Sequence, residues 1–166
     1  MEMISVEALR QAWQQRRQLS VVQERVLHEA FRLIRAGRVA TAVALEARTG
    51  LSSKEVHAAL GALQAEGHIV HASDAGGVVG AFGLSLLPTP HRLVLDGRPL
   101  FTWCALDAAG IPAGLAVDAT AHSQCFTCQQ ALTIAYSAGT MTQALPTEVC
   151  LWVAKPEVGH AVVGDT

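Results

Sequence analysis

Apolar residues recur at helical spacing through the first part of the chain and give way to alternation and short β-branched runs later. Val6, Leu9 and Trp13 predict a first amphipathic helix. Val22, Val26, Ala30, Phe31 and Ile34 predict a second from Ser20 to Ala36, stopped by Gly37. Thr41 to Arg48 predicts a third. After the turn Thr49-Gly50-Leu51, a fourth helix starts at Ser53, read as its cap, and runs through Val56, Leu60 and Leu63 to Gly67. Two short helices about a glycine turn form a helix-turn-helix pattern. His68 to Ala72, a turn over 73–77 and Val78 to Leu84 add a hairpin, so the pattern is that of a winged-helix-like helical module.

The stretch LLPTP, Leu86 to Pro90, marks a boundary and divides the chain into 1–87 and 88–166. His91 to Leu95 alternates as a strand and leads to the turn signal Asp96-Gly97. Pro99, tolerated in a first helical turn, and the stop Gly110-Ile111-Pro112 bracket a helix from Pro99 to Ala109. Its side chains leave no polar stripe, which predicts burial. Gly114 to Thr120, Leu132 to Tyr136 and Val149 to Ala154 predict further strands. Helices first and strands later, with one buried helix inserted among them, define an α+β fold with a mixed or antiparallel sheet.

Composition narrows the class. The 166 residues are 51% hydrophobic and 16% charged, which excludes disorder and suffices for a core. The N-terminus MEMISVEALR has no secretory signal pattern, and no apolar run reaches the ~18 residues of a membrane span. These features predict a cytoplasmic protein, off the membrane, with its four cysteines reduced. Residues 1–67 carry nine Lys/Arg against seven Asp/Glu and residues 68–166 three against seven, so neither half is an electrostatic lure for nucleic acid. The helix that would read DNA offers Lys54, His57 and Gln64 beside Glu55 and Glu66 and no arginine to pair with guanine, which argues against DNA binding.

The inserted helix carries one thiol, Cys104, and one carboxyl, Asp107. At spacing i, i+3 they share a helix face. On the predicted boundaries Asp107 lies in the last turn, where the helix dipole disfavours negative charge, and its apolar neighbours do the same. A neutral carboxyl beside a thiol is a proton donor beside a soft nucleophile. A buried cysteine by itself is ordinarily packing, whereas an uncompensated buried acid costs stability and calls for a role. Cys125-Phe-Thr-Cys128 is a C-x-x-C: half a zinc ribbon, a redox dithiol or a structural turn, with His122, Cys150 and His160 able to complete a metal set only by folding together. Cys150 alternates within Glu148 to Val153 as a strand core residue.

The segment LVLDGRPLFTWCALDAAGIPAGL, followed by HSQCFTC, resembles the alkylmercury (organomercurial) lyase family, whose hallmark is a Trp-Cys-Ala-Leu-Asp run on a helix. The resemblance extends from Val21 to the C-terminus and is strongest from Leu93 to Cys125. It implies that Cys104 and Asp107 are catalytic and that Cys125 is structural, leaving Cys128 open. It also implies a second catalytic cysteine on a C-terminal strand, expected just past the end of this chain, for which Cys150 is the in-chain substitute. Mercury would bind Cys104, with Phe101, Trp103 and Leu106 forming an apolar pocket for the organic group. The implied partners are organomercurial substrates, small thiols that remove Hg²⁺ and a mercuric reductase. No organic cofactor is implied, and the helical module covers the site without contacting DNA.

Overall fold

The computed structural model describes residues 19–150 of the chain. The first predicted helix, the run beyond Cys150 and His160 lie outside the described residues.

Three helices come first: α1 (Val21–Arg35), α2 (Ala42–Thr49) and α3 (Ser53–Ala65). Ser20 and Ser52 close capping boxes with Gln23 and Glu55, each satisfying two backbone N–H groups that a helix start leaves open. The cap of α3 is therefore Ser52 and not Ser53, because only Ser52 has an acidic residue three positions on. Gly50 ends α2 in the left-handed region, φ 66°. Val26, Leu27, Ala30, Leu33 and Ile34 of α1, Leu45 of α2, and Val56, Ala59 and Leu63 of α3 form the inner faces.

Eight strands follow: β1 (Ile69–Ala72), β2 (Gly77–Ala81), β3 (Leu84–Ser85), β4 (His91–Leu95), β5 (Arg98–Thr102), β6 (Ala119–Gln124), β7 (Ala131–Ser137) and β8 (Thr140–Leu145). They make one sheet in the order β1-β2-β3-β5-β4-β6-β7-β8, with every pair antiparallel. The pairs Leu84↔Thr102 and Ser85↔Phe101 carry the sheet across the 87/88 division. One core unites α1–α3 with Val78, Ala81 and Leu84 on one side and with Leu93, Leu95, Leu100, Ala119, Ala121 and Tyr136 on the other.

The helix α4 (Ala105–Leu115) corrects the predicted Pro99–Ala109. Asp96 and Gly97 both have positive φ, 51° and 75°, and form the two-residue turn of the β4–β5 hairpin. Pro99 lies in β5 opposite Val94. The helix starts six residues later than predicted and runs through Gly110 and Pro112 to a left-handed cap at Ala116. Only Ala108 and Pro112 of α4 are buried, so it covers the sheet as a half-exposed helix, not a buried one. Further differences are local. Phe82 and Gly83, at φ 49° and 80°, break the second arm of the predicted hairpin into β2 and β3. The strand expected from Gly114 begins at Ala119, since α4 takes up the intervening residues. Strand β8, TMTQAL, has no alternation to betray it; among the described residues it is an exposed edge strand paired with β7 alone. Val149 and Cys150 fall outside any strand.

Leu93 is fully buried in β4, between β5 and β6. Leu93→Ala should cost about 2–5 kcal/mol, read as a lowered denaturation midpoint with the far-UV spectrum retained.

Candidate active site

The antiparallel register decides what meets what. His91, at the start of β4, pairs with Thr102 at the end of β5; Arg92 pairs with His122 near the end of β6; Thr133 of β7 pairs with Leu145 at the end of β8. The chain thus leaves β5, β6 and β8 from the same end of the sheet. Cys104 follows β5, Cys125 and Cys128 follow β6, and Cys150 follows β8. The Phe82-Gly83 turn between β2 and β3 lies at this end too, beside Thr102.

Cys104 is the N-cap of α4, in extended backbone, and Asp107 is the third residue of the helix. The Cys104 thiol donates to Asp107 Oδ2 at 3.0 Å. This position reverses the dipole argument made from the predicted boundaries: Asp107 sits in the first turn, where the helix N-terminus favours negative charge. The Cys104 thiol is pushed up to about 11, first by burial of the sulfur among its neighbours and then by the hydrogen bond to Asp107. The residue as a whole remains exposed at the helix start, so the sulfur is both reachable and protonated at neutral pH.

The corner before Cys104 is anchored on three sides. Trp103 N–H donates to Gly83 O at 2.8 Å. Thr102 Oγ1 donates to Cys104 O at 3.1 Å. Thr89 Oγ1 donates to Thr102 O at 2.7 Å and accepts from His91 N–H, tying the LLPTP stretch to the same corner. Gly83 is required twice: its φ of 80° disfavours any side chain, and a Cβ there would overlap the Asp107 carboxyl group. Gly80 is required by close approach, since a Cβ would lie 2.9 Å from Trp103 Nε1. That indole nitrogen is buried and meets no hydrogen-bond acceptor among the described residues.

His91 shares a hydrogen bond of 2.7 Å with Ser123 Oγ across β4 and β6. Burial lowers the His91 pKa, while the negative charge of Asp107 opposes that shift, so His91 is within electrostatic reach of the carboxylate and neutral at pH 7.

The structure brings Cys104, Asp107, Trp103 and Leu106 together at the start of α4. Phe101 lies on β5 in the cross-strand row Gly80–Ser85–Phe101, on the face where the Trp103 indole packs over Gly80. Cys125 and Cys128 occupy the β6–β7 loop, and Cys150 is exposed. Gly80, Gly83, His91 and Ser123 had no local signal in the sequence. Gly83 follows a phenylalanine inside an apolar run and shows its purpose only when Asp107 is packed on it.

One end of the sheet thus presents a thiol hydrogen-bonded to a carboxylate at a helix N-terminus, a thiol–carboxyl site. Residues 84–165 match the MerB alkylmercury lyase family model. It is 34% identical over 82 residues to an alkylmercury lyase of Pseudomonas putida, covering 49% of this chain and 38% of that protein. It is 44% identical over 69 residues to one from Staphylococcus epidermidis, covering 42% and 30%. A crystal structure of the mercury-bound form of MerB2 superposes with a TM-score of 0.73 at 30% identity, covering 78% of this chain and 62% of that one. The chain thus matches well under half the length of these curated relatives.

Two outcomes follow from this geometry. Alkylation of Cys104 by iodoacetamide should show a midpoint near pH 11 that falls only part of the way to that of an ordinary thiol in Asp107→Asn, because the negative charge is removed while burial, the largest cause, remains. The folded thiol holds its proton more tightly than the unfolded one, so its stabilising contribution is present below about pH 9 and is lost as pH rises to about 11. Gly83→Ala should lower stability by about 1–3 kcal/mol and shift the Cys104 alkylation profile toward that of an ordinary thiol, measured by thermal denaturation and by pH-dependent labelling.

Proposed function

We propose that this chain is the site-bearing part of an organomercurial lyase that cleaves the carbon–mercury bond by protonolysis, releasing a hydrocarbon and Hg(II) in mercury detoxification. The observation that carries this reading is the Cys104 thiol donating to Asp107 at the start of α4. A thiol with a pKa near 11 is a poor nucleophile unless its proton has somewhere to go, and Asp107 is in place to take it.

The steps balance. Cys104 sulfur displaces the anionic ligand of R–Hg–X, forming S–Hg–R, and its proton moves to Asp107. A second thiolate then binds the mercury and raises electron density on the mercury-bound carbon. Asp107 returns the proton to that carbon, the C–Hg bond breaks, and R–H leaves with Hg(II) held by two sulfurs. Soft thiolates are the ligands that Hg(II) selects, so no organic cofactor enters. Cys150 is assigned as the second thiol. The family match extends past it to residue 165, and β8 delivers the chain to the end of the sheet where Cys104 lies.

Phe101, Trp103 and Leu106 are assigned to the apolar pocket that takes the alkyl or aryl group, a reading supported by the Trp103 indole packing over Gly80 in the same row as Phe101. Residues 1–87 act as a winged-helix-type module whose Phe82-Gly83 turn closes over Asp107, a role in covering the site and not in reading DNA. The 88–166 part holds the chemistry. Partners are organomercurials and small thiols that strip off Hg²⁺ for a mercuric reductase. The compartment is the cytoplasm; among the described residues no helix is long and apolar enough to cross a membrane.

Phenylmercuric acetate incubated with the chain and excess small thiol should release benzene, measured by gas chromatography. Cys104→Ser and Asp107→Asn should each reduce release at least 100-fold. Equal benzene from wild type and Asp107→Asn would overturn the role of the carboxyl.

A further inference from the structure

The family resemblance gives Cys125 a structural role and gives Cys128 none, yet the β6–β7 loop is built around the two sulfurs. Cys125 N–H donates to Gln130 O at 2.9 Å, Gln129 N–H donates to Cys125 O at 2.8 Å, and Gln129 Nε2 donates to Phe126 O at 2.9 Å. Gln129 adopts φ 57° to close this turn. The turn that Gln129 N–H closes on Cys125 O contains both cysteines at spacing i, i+3, which sets their side chains on one side of it. Nothing in the hydrophobic core uses this arrangement: Cys125 is half-buried, Cys128 is exposed and Phe126 is 92% exposed. A purely structural turn does not need two accessible thiols on one side.

We infer that Cys125 and Cys128 form a second binding site, a two-sulfur chelate for a soft divalent cation of the Hg(II) type. Binding releases the thiol protons: two thiols and Hg²⁺ give S–Hg–S and two H⁺. The choice of metal follows from the ligand count. Zinc sites close with four protein ligands, and among the described residues no group of three or more His, Cys, Asp or Glu could hold a metal. A large soft d¹⁰ cation is satisfied by two thiolates in line. Closure of the second bond is intramolecular, at an effective concentration of mM or above for so short a tether, so the pair holds the ion against free monothiols.

The position gives the site a use. Strands β5 and β6 flank β4, so at about 4.8 Å per strand the axes leading to Cys104 and to Cys125 are about 10 Å apart, and both leave the sheet at the same end. His91 and Ser123 bridge the gap between them. The pair is thus placed to receive Hg(II) from Cys104, a use that rests on the proposed lyase reaction, while the binding itself does not.

The test isolates binding from turnover. In full-length chain carrying Cys104→Ser and Cys150→Ser, Hg(II) supplied as its glutathione complex should be retained at one ion per chain in excess glutathione, seen by native mass spectrometry. Adding Cys125→Ser or Cys128→Ser should each cut retention at least 100-fold, with the melting temperature unchanged to show that the loop change has not unfolded the protein. Retention no greater than in those single-thiol variants would overturn the inference, whatever benzene release the wild type shows.

Discussion

Everything at the reactive end of the molecule depends on the close contact between the Asp107 carboxyl and the backbone of Gly83. A side chain at Gly83 would overlap the carboxylate, and the Trp103 N–H bond to Gly83 O holds the same two segments from the backbone side. The turn comes from the helical half of the chain and the carboxylate from the half that carries the thiol. Their contact sets where α4 begins and which way the Cys104 sulfur faces. Gly80 repeats the device one strand earlier by admitting the Trp103 indole.

The electrostatics of the site follow from that placement. At the start of α4 the backbone N–H groups favour the carboxylate, and burial keeps the neighbouring proton on sulfur. The pair shares a proton in the hydrogen bond from the Cys104 sulfur to the Asp107 carboxylate. His91, kept neutral by burial, adds no fixed positive charge that would hold Asp107 permanently ionised. Cys125, half-buried at the same sheet end, has the reverse character: the neighbouring backbone of Cys128 and Thr127 lowers its pKa. One end of the sheet therefore carries one thiol that holds its proton and another that gives it up more readily.

The shared end is a product of topology. Antiparallel pairing sends alternate strands the same way, so cysteines separated by tens of residues emerge side by side. The core that supports this is continuous from α1 to Tyr136, and the β3–β5 ladder makes the helical module and the later strands one sheet. Arg35 of α1 adds an ion pair to Asp96 at 2.6 Å, tying the far hairpin turn back to the helices.

Much was legible in the residues alone. Helical spacing located α1, α2 and α3, alternation located β4, and the Cys104–Asp107 spacing marked two side chains that the structure joins by a hydrogen bond, because each of these rests on contacts within a few residues. The WCALD run carried the family resemblance by itself. Asp96-Gly97 shows where local reading stopped: the dipeptide suits both a helix lead-in and a hairpin turn, and only pairing of β5 with β3 and β4 chooses the hairpin. That choice moved the helix start from Pro99 to Ala105 and reversed the sign of the dipole at Asp107. The edge strand β8, the need for glycine at positions 80 and 83, the packing of the Trp103 indole over Gly80 and the convergence of the cysteines likewise came from tertiary structure. Each is a relation between segments distant in sequence, and hydrophobic periodicity, which reports only which way a side chain faces within its own element, carries no information about which element it will face.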